Sequence, residues 1–291
     1  MIATYQGTKE ILERYGLLAK KNFGQNFLID PHVLQKIIIA SDIGPNDTVI
    51  EVGPGIGGLT EALAREAGQV IAIEIDRSLL PVLADTLGAY ANITVIHGDI
   101  LKLDLRQVIK EQARGPVKLA ANLPYYITTP IIMNVLEQRL PIESLTVMVQ
   151  KEVGDRMQAG PGTKDYGALS LAVRYYADCY LAANVPRNCF MPRPNVDSAV
   201  IRLTVLPEPR VKVSDEALLF TLIKAGFFQR RKTLINCLSH YPQLQMERAV
   251  AAALLEAAGL PQDVRGEKLT LEDYANLTEA LKALTKYSDR T

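Results

Sequence analysis

Between about residue 48 and residue 150, apolar runs of strand length alternate with helix-length amphipathic stretches. The runs TVIEVG (48–53), QVIAIEID (69–76), ITVIHGD (93–99), VKLAANLP (117–124) and SLTVMVQ (144–150) are rich in β-branched residues and nearly unbroken. That is the pattern of strands covered on both faces. The segments LTEALAREAG and RSLLPVLADTLG between them read as helices, with Gly68 and Gly88 placed as terminators. Strand, helix and strand repeated in this way predict a parallel sheet with right-handed crossovers. Two later stretches, residues 169–186 and 196–206, read as strands with no helix between them and are expected to pair antiparallel at the sheet edge. Beyond PEPRVKVSDE the pattern turns helical, most clearly in ERAVAAALLEAAGL and LEDYANLTEALKAL. The expected organisation is an α/β domain over residues 1–206, built on a seven-stranded, mostly parallel sheet, followed by a small all-α domain over residues 207–291.

Composition narrows the class without naming a function. The chain has 291 residues, 48% hydrophobic and 22% charged, which suits a globular protein with ample core. It contains no run of about 18 uncharged apolar residues and no basic-then-apolar leader, so a cytoplasmic protein without a membrane segment is expected. The cysteines (Cys179, Cys189, Cys237) show no paired spacing and the histidines (His32, His97, His240) lie far apart, so neither a disulfide framework nor a metal site is expected. Net charge is zero, but residues 37–186 carry five more acidic than basic side chains and the flanks five more basic than acidic. A polyanion would be held at the flanks and repelled from most of the centre, although ordinary scatter explains the same split.

The first strand runs into EVGPGIGGLTEAL, a glycine-rich turn opening a helix, where bent backbone leaves N–H groups facing a ligand. This makes the fold Rossmann-like. Gly53, Gly55 and Gly58 satisfy G-x-G-x-x-G, while Gly53, Gly55 and Gly57 satisfy G-x-G-x-G equally well. Glu51 stands two residues before Gly53, near where a dinucleotide would set its pyrophosphate, and like charges there are unfavourable. The sulfonium and ammonium of S-adenosylmethionine tolerate such a carboxylate, so the methyl donor is the preferred cofactor. Glu74 ends the second strand, with Ile75 beside it, and is suited to accept from both ribose hydroxyls. Asp76 competes for that role but reads first as the N-cap of the next helix. Asp99, at the third strand end, accepts from an adenine amino group or caps a turn, with Ile100 packed on the ring.

The fourth strand ends in Asn122, Leu123, Pro124, Tyr125 and Tyr126. An exocyclic nucleobase amine is a poor nucleophile because its lone pair is delocalised into the ring. Directing both N–H bonds at fixed acceptors draws the nitrogen toward tetrahedral geometry and frees the pair. The Asn122 carbonyl supplies one acceptor and a main-chain carbonyl near Pro124 the other, while Tyr125 stacks on the base. No strong general base is needed, because the amine sheds its proton after transfer. A plain turn capped by Asn122 is the competing account.

The stretches KKNFGQNFLID, EVGPGIGGLT, IEID, HGDI, NLPYYI, FMPRPNVDSAV and FFQRRKTL, in this order, closely resemble the bacterial small-subunit ribosomal RNA adenine dimethyltransferases. The resemblance implies a class I S-adenosylmethionine-dependent methyltransferase that dimethylates two adjacent adenosines near the 3′ end of 16S rRNA, late in small-subunit assembly. It implies cofactor contacts from Asn26, Leu28, Gly53, Glu74, Asp99 and Asn122, to which Gly55, Ile75 and Ile100 are added by position, and a catalytic set of Asn122, Pro124, Tyr125 and Phe190. Phe190 is then expected to pair with Tyr125 around the target base, although composition alone makes it a core residue. The partners implied are the small ribosomal subunit and its rRNA, and the protein is expected to be a monomer.

In KAGFFQRRK (224–232), Lys224, Arg230, Arg231 and Lys232 flank two phenylalanines. On a helix they form a phosphate-gripping face with the aromatics anchored in the core, or a merely solvated charged face. Three rivals remain: a large-subunit methyltransferase of the erythromycin-resistance type, a nicotinamide-dependent oxidoreductase, and an assembly factor whose important act is binding. The helical residues 207–291 and the full FFQRRKTL favour the small-subunit enzyme over the first.

Overall fold

A computed structural model describes residues 1–17 and 25–288. In chain order the elements are α1 (Tyr5–Arg14), β1 (Phe27–Leu28), α2 (Pro31–Ser41), β2 (Thr48–Val52), α3 (Gly58–Glu66), β3 (Gln69–Glu74) and α4 (Leu80–Thr86). Next come β4 (Ile93–His97), α5 (Leu105–Gln112), β5 (Val117–Asn122), α6 (Thr128–Glu137), β6 (Ser144–Gln150), α7 (Lys151–Gln158) and α8 (Ala168–Tyr176). The remainder is β7 (Ala177–Val185), β8 (Phe190–Met191), β9 (Ser198–Val205), α9 (Glu216–Gly226), α10 (Leu234–His240), α11 (Arg248–Ala257) and α12 (Leu271–Ser288). Local chemistry starts several of the helices: Asp30 caps α2 ahead of Pro31 at its first turn, Asp104 caps α5 and Asp215 caps α9.

The chain divides into two compact units, one of Met1–Gly154 and Asp178–Val205, the other of Asp155–Ala177 and Leu206–Thr291. The first is built on a seven-stranded sheet in the order β4-β3-β2-β5-β6-β9-β7. Strands β2 to β6 pair parallel wherever they adjoin, and β9 pairs antiparallel to β6, Ser144 lying opposite Thr204 and Gln150 opposite Ser198. This is the expected Rossmann-like α/β architecture. The chain winds outward from β2 to β4 on one side and from β5 onward on the other, so the order reverses between β2 and β5. Ligand crevices of open α/β sheets form at such a point.

Central strands are apolar because both of their faces are covered: Val49, Ile50, Val70, Ile71, Leu145 and Val147 are fully buried. Strand β4 departs from the continuous burial that its sequence suggests. It is an edge strand, and Thr94, Val95 and His97 are exposed. Gly68 and Gly88 also act differently from expectation. Helices α3 and α4 end on Ala67 and Leu87, and neither glycine has positive φ. A Cβ on Gly68 would run into the Pro45 carbonyl oxygen, so close backbone approach is what demands glycine there.

Residues 169–176 are the main correction to the element reading: they form helix α8, and only from Ala177 does the expected strand begin. Leu169 to Val173, Tyr175 and Tyr176 are all buried. A helix buried almost all round loses its amphipathic period and reads like a strand. Between β7 and β9 lie a single 3-10 turn (Arg187–Cys189) and β8. The segment 155–177 therefore belongs to the helical unit, whereas the sequence boundary at 206 had placed it with the sheet.

The helical unit is held by tyrosines whose rings are buried and whose hydroxyls are satisfied. Tyr166 donates to the Leu269 carbonyl at 2.7 Å, Tyr274 to the Gly266 carbonyl at 3.2 Å, and Tyr175 and Tyr176 donate to Glu216 at 3.0 and 2.6 Å. Gly226 and Gly266 let α9 close on the 266–268 turn, because a Cβ on Gly266 would overlap the Gly226 carbonyl oxygen. Gly266→Ala is therefore expected to destabilise the protein by about 1–3 kcal/mol through overpacking. Gly160→Ala, with open space around its Cβ, should stay within about 0.5 kcal/mol of wild type. Chemical denaturation of the two variants checks the contrast.

Candidate active site

Register sets the strand ends level. Val52 lies opposite Ile73 and Glu74 opposite His97, and carrying the pairing of Glu51 with Ala120 two residues on brings Gly53 beside Asn122. Over these ends opens a cleft of about 1080 Å³, including the part exposed to solvent. Its floor and sides include Gly53, Gly55, Glu74, Ile75, Asp99, Ile100, Asn122, Pro124 and Tyr125, all expected from the sequence, and also Asn26 and Leu28.

The glycine turn resolves the ambiguity between its two patterns. Gly53, Gly55 and Gly57 have φ of 69°, 61° and 92°, in the left-handed region that favours glycine, whereas Gly58 does not and abuts Ala3. The backbone therefore needs G-x-G-x-G. A Cβ on Gly55 would also come within 3.1 Å of the Phe27 ring, so this turn and the 25–28 segment are fitted to each other. Residues 20–24 of KKNFGQNFLID lie outside the described residues. From Gln25 onward the segment is anchored: the Gln25 amide donates to Asp76 Oδ2 at 3.0 Å, and Phe27 and Leu28 pair with Met191 and Phe190 across β1 and β8.

Two buried carboxylates stand at the turn. Glu74 Oε2 accepts from the Gly55 N–H at 3.2 Å and Oε1 from the Asp76 N–H at 2.8 Å, which fixes the side chain at the β3 end. Burial raises its pKa, partly countered by these bonds. Asp76 is the N-cap it was expected to be, accepting from the Ser78 N–H at 3.0 Å. Glu51, on the cleft wall, is 1% exposed, and its Oε2 has no hydrogen-bond partner among the described residues. Burial pushes Glu51 up to about 8, with the Thr60 hydroxyl opposing the shift and the Glu74 charge adding to it. Asp99 accepts from the Leu101 N–H at 3.0 Å and so caps its turn while lining the cleft beside the buried Ile100 and the half-exposed Ile75.

At the β5 end the Asn122 amide donates through Nδ2 to the Asn26 carbonyl at 3.0 Å, which turns its Oδ1 away from that partner. The Pro124 carbonyl accepts from the Ile127 N–H at 3.1 Å and the Thr128 hydroxyl at 3.0 Å as the chain enters α6. Tyr125 is half-buried, and its hydroxyl shares a 2.6 Å hydrogen bond with Ser198 Oγ, which fixes the ring. Burial pushes its phenol up, so it stays neutral.

Phe190 stands at the start of β8. It is 3% exposed, packs in the core with Leu28, Val185 and Cys189, and lies outside the cleft lining. In the β1–β8 pair it lies opposite Leu28, a buried position as composition alone suggests. Lys224, Arg230, Arg231 and Lys232 are exposed, on the helical unit. They are not one helical face: α9 ends at Gly226 and the next six residues form turns. Only Phe227 is an anchor, its ring centroid 5.7 Å from Tyr166, and Phe228 is exposed. Glu51 served to choose between cofactors but was not counted among the site residues, and Gln25 and Ser198, although they lie inside KKNFGQNFLID and FMPRPNVDSAV, were not singled out.

A doubly wound sheet, a G-x-G-x-G turn at its switch point, an acid ending the second strand and an amide ending the fourth define a class I methyltransferase fold. The family model described as ribosomal RNA adenine dimethylase matches residues 16–282, and the chain belongs to that family. It is 56% identical over 276 residues to the ribosomal RNA small subunit methyltransferase A of Lachnoclostridium phytofermentans, covering 94% of this chain and 95% of the relative. It is 52% identical to the protein of that name from Geobacillus thermodenitrificans, covering 97% and 98%. Among solved structures it resembles a dimethyladenosine transferase from Plasmodium falciparum (TM-score 0.73, 26% identity, 88% of this chain and 97% of that one) and the 23S rRNA methyltransferase ErmE (0.65, 27%, 88% and 100%). The protein is thus an enzyme of the adenine dimethylase family, and the nicotinamide-dependent reading is not favoured. Among the described residues no helix is long and apolar enough to cross a membrane, and no group of three or more His, Cys, Asp or Glu side chains is arranged to hold a metal ion.

Glu51 gives the ligand-free protein a defined pH response. Unfolded, it titrates near the ordinary 4.5; folded, near 8; between these the unfolded state binds fewer protons, so stability falls as pH rises. Glu51→Gln should remove this loss, making the variant more stable than wild type at pH 8 by up to about 4 kcal/mol, with little difference at pH 5. Urea unfolding at the two pH values reads the effect.

Proposed function

We propose that this enzyme transfers methyl groups from S-adenosylmethionine to the N6 amines of two adjacent adenosines near the 3′ end of 16S rRNA, late in small-subunit assembly. The residues of the cleft suit the donor. An unpartnered, buried Glu51 oxygen matches its ammonium, Glu74 its ribose hydroxyls, and Asp99 with Ile75 and Ile100 a purine ring and its amine. The glycine turn offers backbone N–H groups and room for close approach, and Asn26, Leu28 and Gly53 complete the walls. When bound, the donor supplies a methyl group made electrophilic by its sulfonium.

The observation that carries the catalytic reading is the Asn122 orientation. With Nδ2 committed to the Asn26 carbonyl, Oδ1 is the atom left to accept from the target amine. The Pro124 carbonyl is occupied twice, whereas no described group donates to the Leu123 carbonyl just before it, so Leu123 O is the second acceptor. Pro124, with φ restricted by its ring, holds that peptide in place. Both amine hydrogens are then gripped, the nitrogen lone pair is released from the ring, and Tyr125, fixed through Ser198, stacks on the base. The proton leaves after transfer, so positioning supplies most of the acceleration.

Docking on the small subunit is assigned to the helical unit, through Lys224, Arg230, Arg231 and Lys232. Relatives 56% and 52% identical, named as small-subunit enzymes, favour this substrate over the large-subunit alternative. Incubating the protein with labelled S-adenosylmethionine and unmethylated small subunits, then mapping the modified nucleotides, tests the assignment; methylation confined to other nucleotides refutes it.

Asn122→Ala should lower turnover by roughly 100- to 1,000-fold while leaving donor affinity within a few-fold, as judged by single-turnover kinetics and calorimetry. Donor affinity should rise with pH toward about 8 as Glu51 ionises, and lose that dependence in Glu51→Gln. Neutralising Arg230 and Arg231 together should reduce the slope of log affinity against log salt by about 2 on small subunits.

A further inference from the structure

Adjacent phenylalanines after α9 have opposite fates. The Phe227 ring, half-buried, packs edge-on to the buried Tyr166 at 5.7 Å and stacks with the buried Tyr274 at 6.5 Å. Phe228 is 47% exposed and meets the edge of Tyr241, with centroids 5.5 Å apart and planes at 72°. Its backbone is held in a turn, since its N–H donates to the Ala225 carbonyl at 3.0 Å and the Lys232 N–H closes on the Gln229 carbonyl at 2.8 Å. The ring is therefore fixed in orientation although half of it faces solvent. The core does not need it, because Phe227 already fills the contact with Tyr166 and Tyr274.

Its surroundings are cationic. Lys224 stands one helical turn earlier, and Arg230, Arg231 and Lys232 follow within four residues. Arg230 is paired with Glu267 at 3.3 Å, but no described acidic side chain pairs with Lys224, Arg231 or Lys232. A preset aromatic ring beside unneutralised cations matches a polyanion that also presents flat π surfaces. An apolar protein partner would have to leave these charges desolvated and unpaired, at considerable cost. A nucleic acid satisfies both features, phosphates going to the cations and a base face to the ring.

We propose that Phe228 is a base-stacking contact of this enzyme, receiving an unpaired nucleobase of the small-subunit RNA while Arg231 and Lys232 hold the flanking phosphates. The assignment rests on the helical unit being the RNA-docking part, and it adds a salt-independent component to that docking. Stacking contributes sequence-tolerant affinity with no counterion release, so the ring and the cations are separable by experiment.

The test measures equilibrium binding of fluorescently labelled protein to unmethylated small subunits at several KCl concentrations, for wild type, Phe228→Ala, Phe228→Leu and Phe228→Trp. Alanine and leucine should each weaken binding by roughly tenfold or more, tryptophan should retain it, and the salt slope should be the same in all four. S-adenosylmethionine affinity and the unfolding midpoint should be unchanged, since Phe228 lies in neither the cleft nor the core. Full affinity in Phe228→Ala overturns the proposal. So does full affinity in Phe228→Leu with loss in alanine, which would mean an apolar protein contact. If wild type itself shows no salt-dependent binding, the docking assignment falls and the stacking contact with it; if wild type binds and alanine binds equally well, only the stacking contact falls.

Discussion

The backbone reversal from β2 into α3 is the constraint on which the rest depends. Strands β2, β3 and β5 end in register, and at that level the chain must leave a fully buried strand and enter a helix within five residues. L-residues with side chains seldom adopt the required positive φ, which Gly53, Gly55 and Gly57 all have. The same bend brings the Gly55 N–H onto Glu74 and the Phe27 ring against Gly55. A single turn thus fixes the cradle, the acid that faces it and the N-terminal wall that encloses it.

Around this turn the polar chemistry is arranged by commitment of groups elsewhere. The Asn122 amide acquires a direction because its nitrogen is tied to the Asn26 carbonyl, and the Pro124 carbonyl is taken by the start of α6. Tyr125 is oriented from β9 through Ser198. Glu51 is the contrasting case: a carboxyl kept dry with one oxygen unsatisfied, stable in the fold only as a neutral acid or opposite a cation. Satisfied groups set geometry, whereas Glu51 keeps one oxygen unsatisfied among the described residues.

The helical unit follows a different logic. Tyr166, Tyr175, Tyr176 and Tyr274 bury large rings and spend their hydroxyls on main-chain carbonyls or Glu216, while glycines at 226 and 266 permit closest approach. With those contacts filled, Phe228 and its neighbouring cations are left at the surface. A surface of this kind contributes nothing to the core.

The alternation of buried strands and amphipathic helices, the glycine turn, Glu74, Asp99 and the NLPY stretch were all legible in the sequence, because local periodicity and backbone-restricted residues encode them directly. Helix α8 was not, since burial on every side erased its period, and β4 was read as doubly covered because an edge cannot be known before the strand order is. Only tertiary structure decided that Gly57 rather than Gly58 completes the cradle, that Phe190 faces the core and Phe228 the solvent, and that Asn122 turns its oxygen away from Asn26. Each of these depends on which distant segment arrives alongside, Ala3, Leu28, Tyr241 or Asn26, and a contact between residues far apart in the chain leaves no periodic trace in either partner.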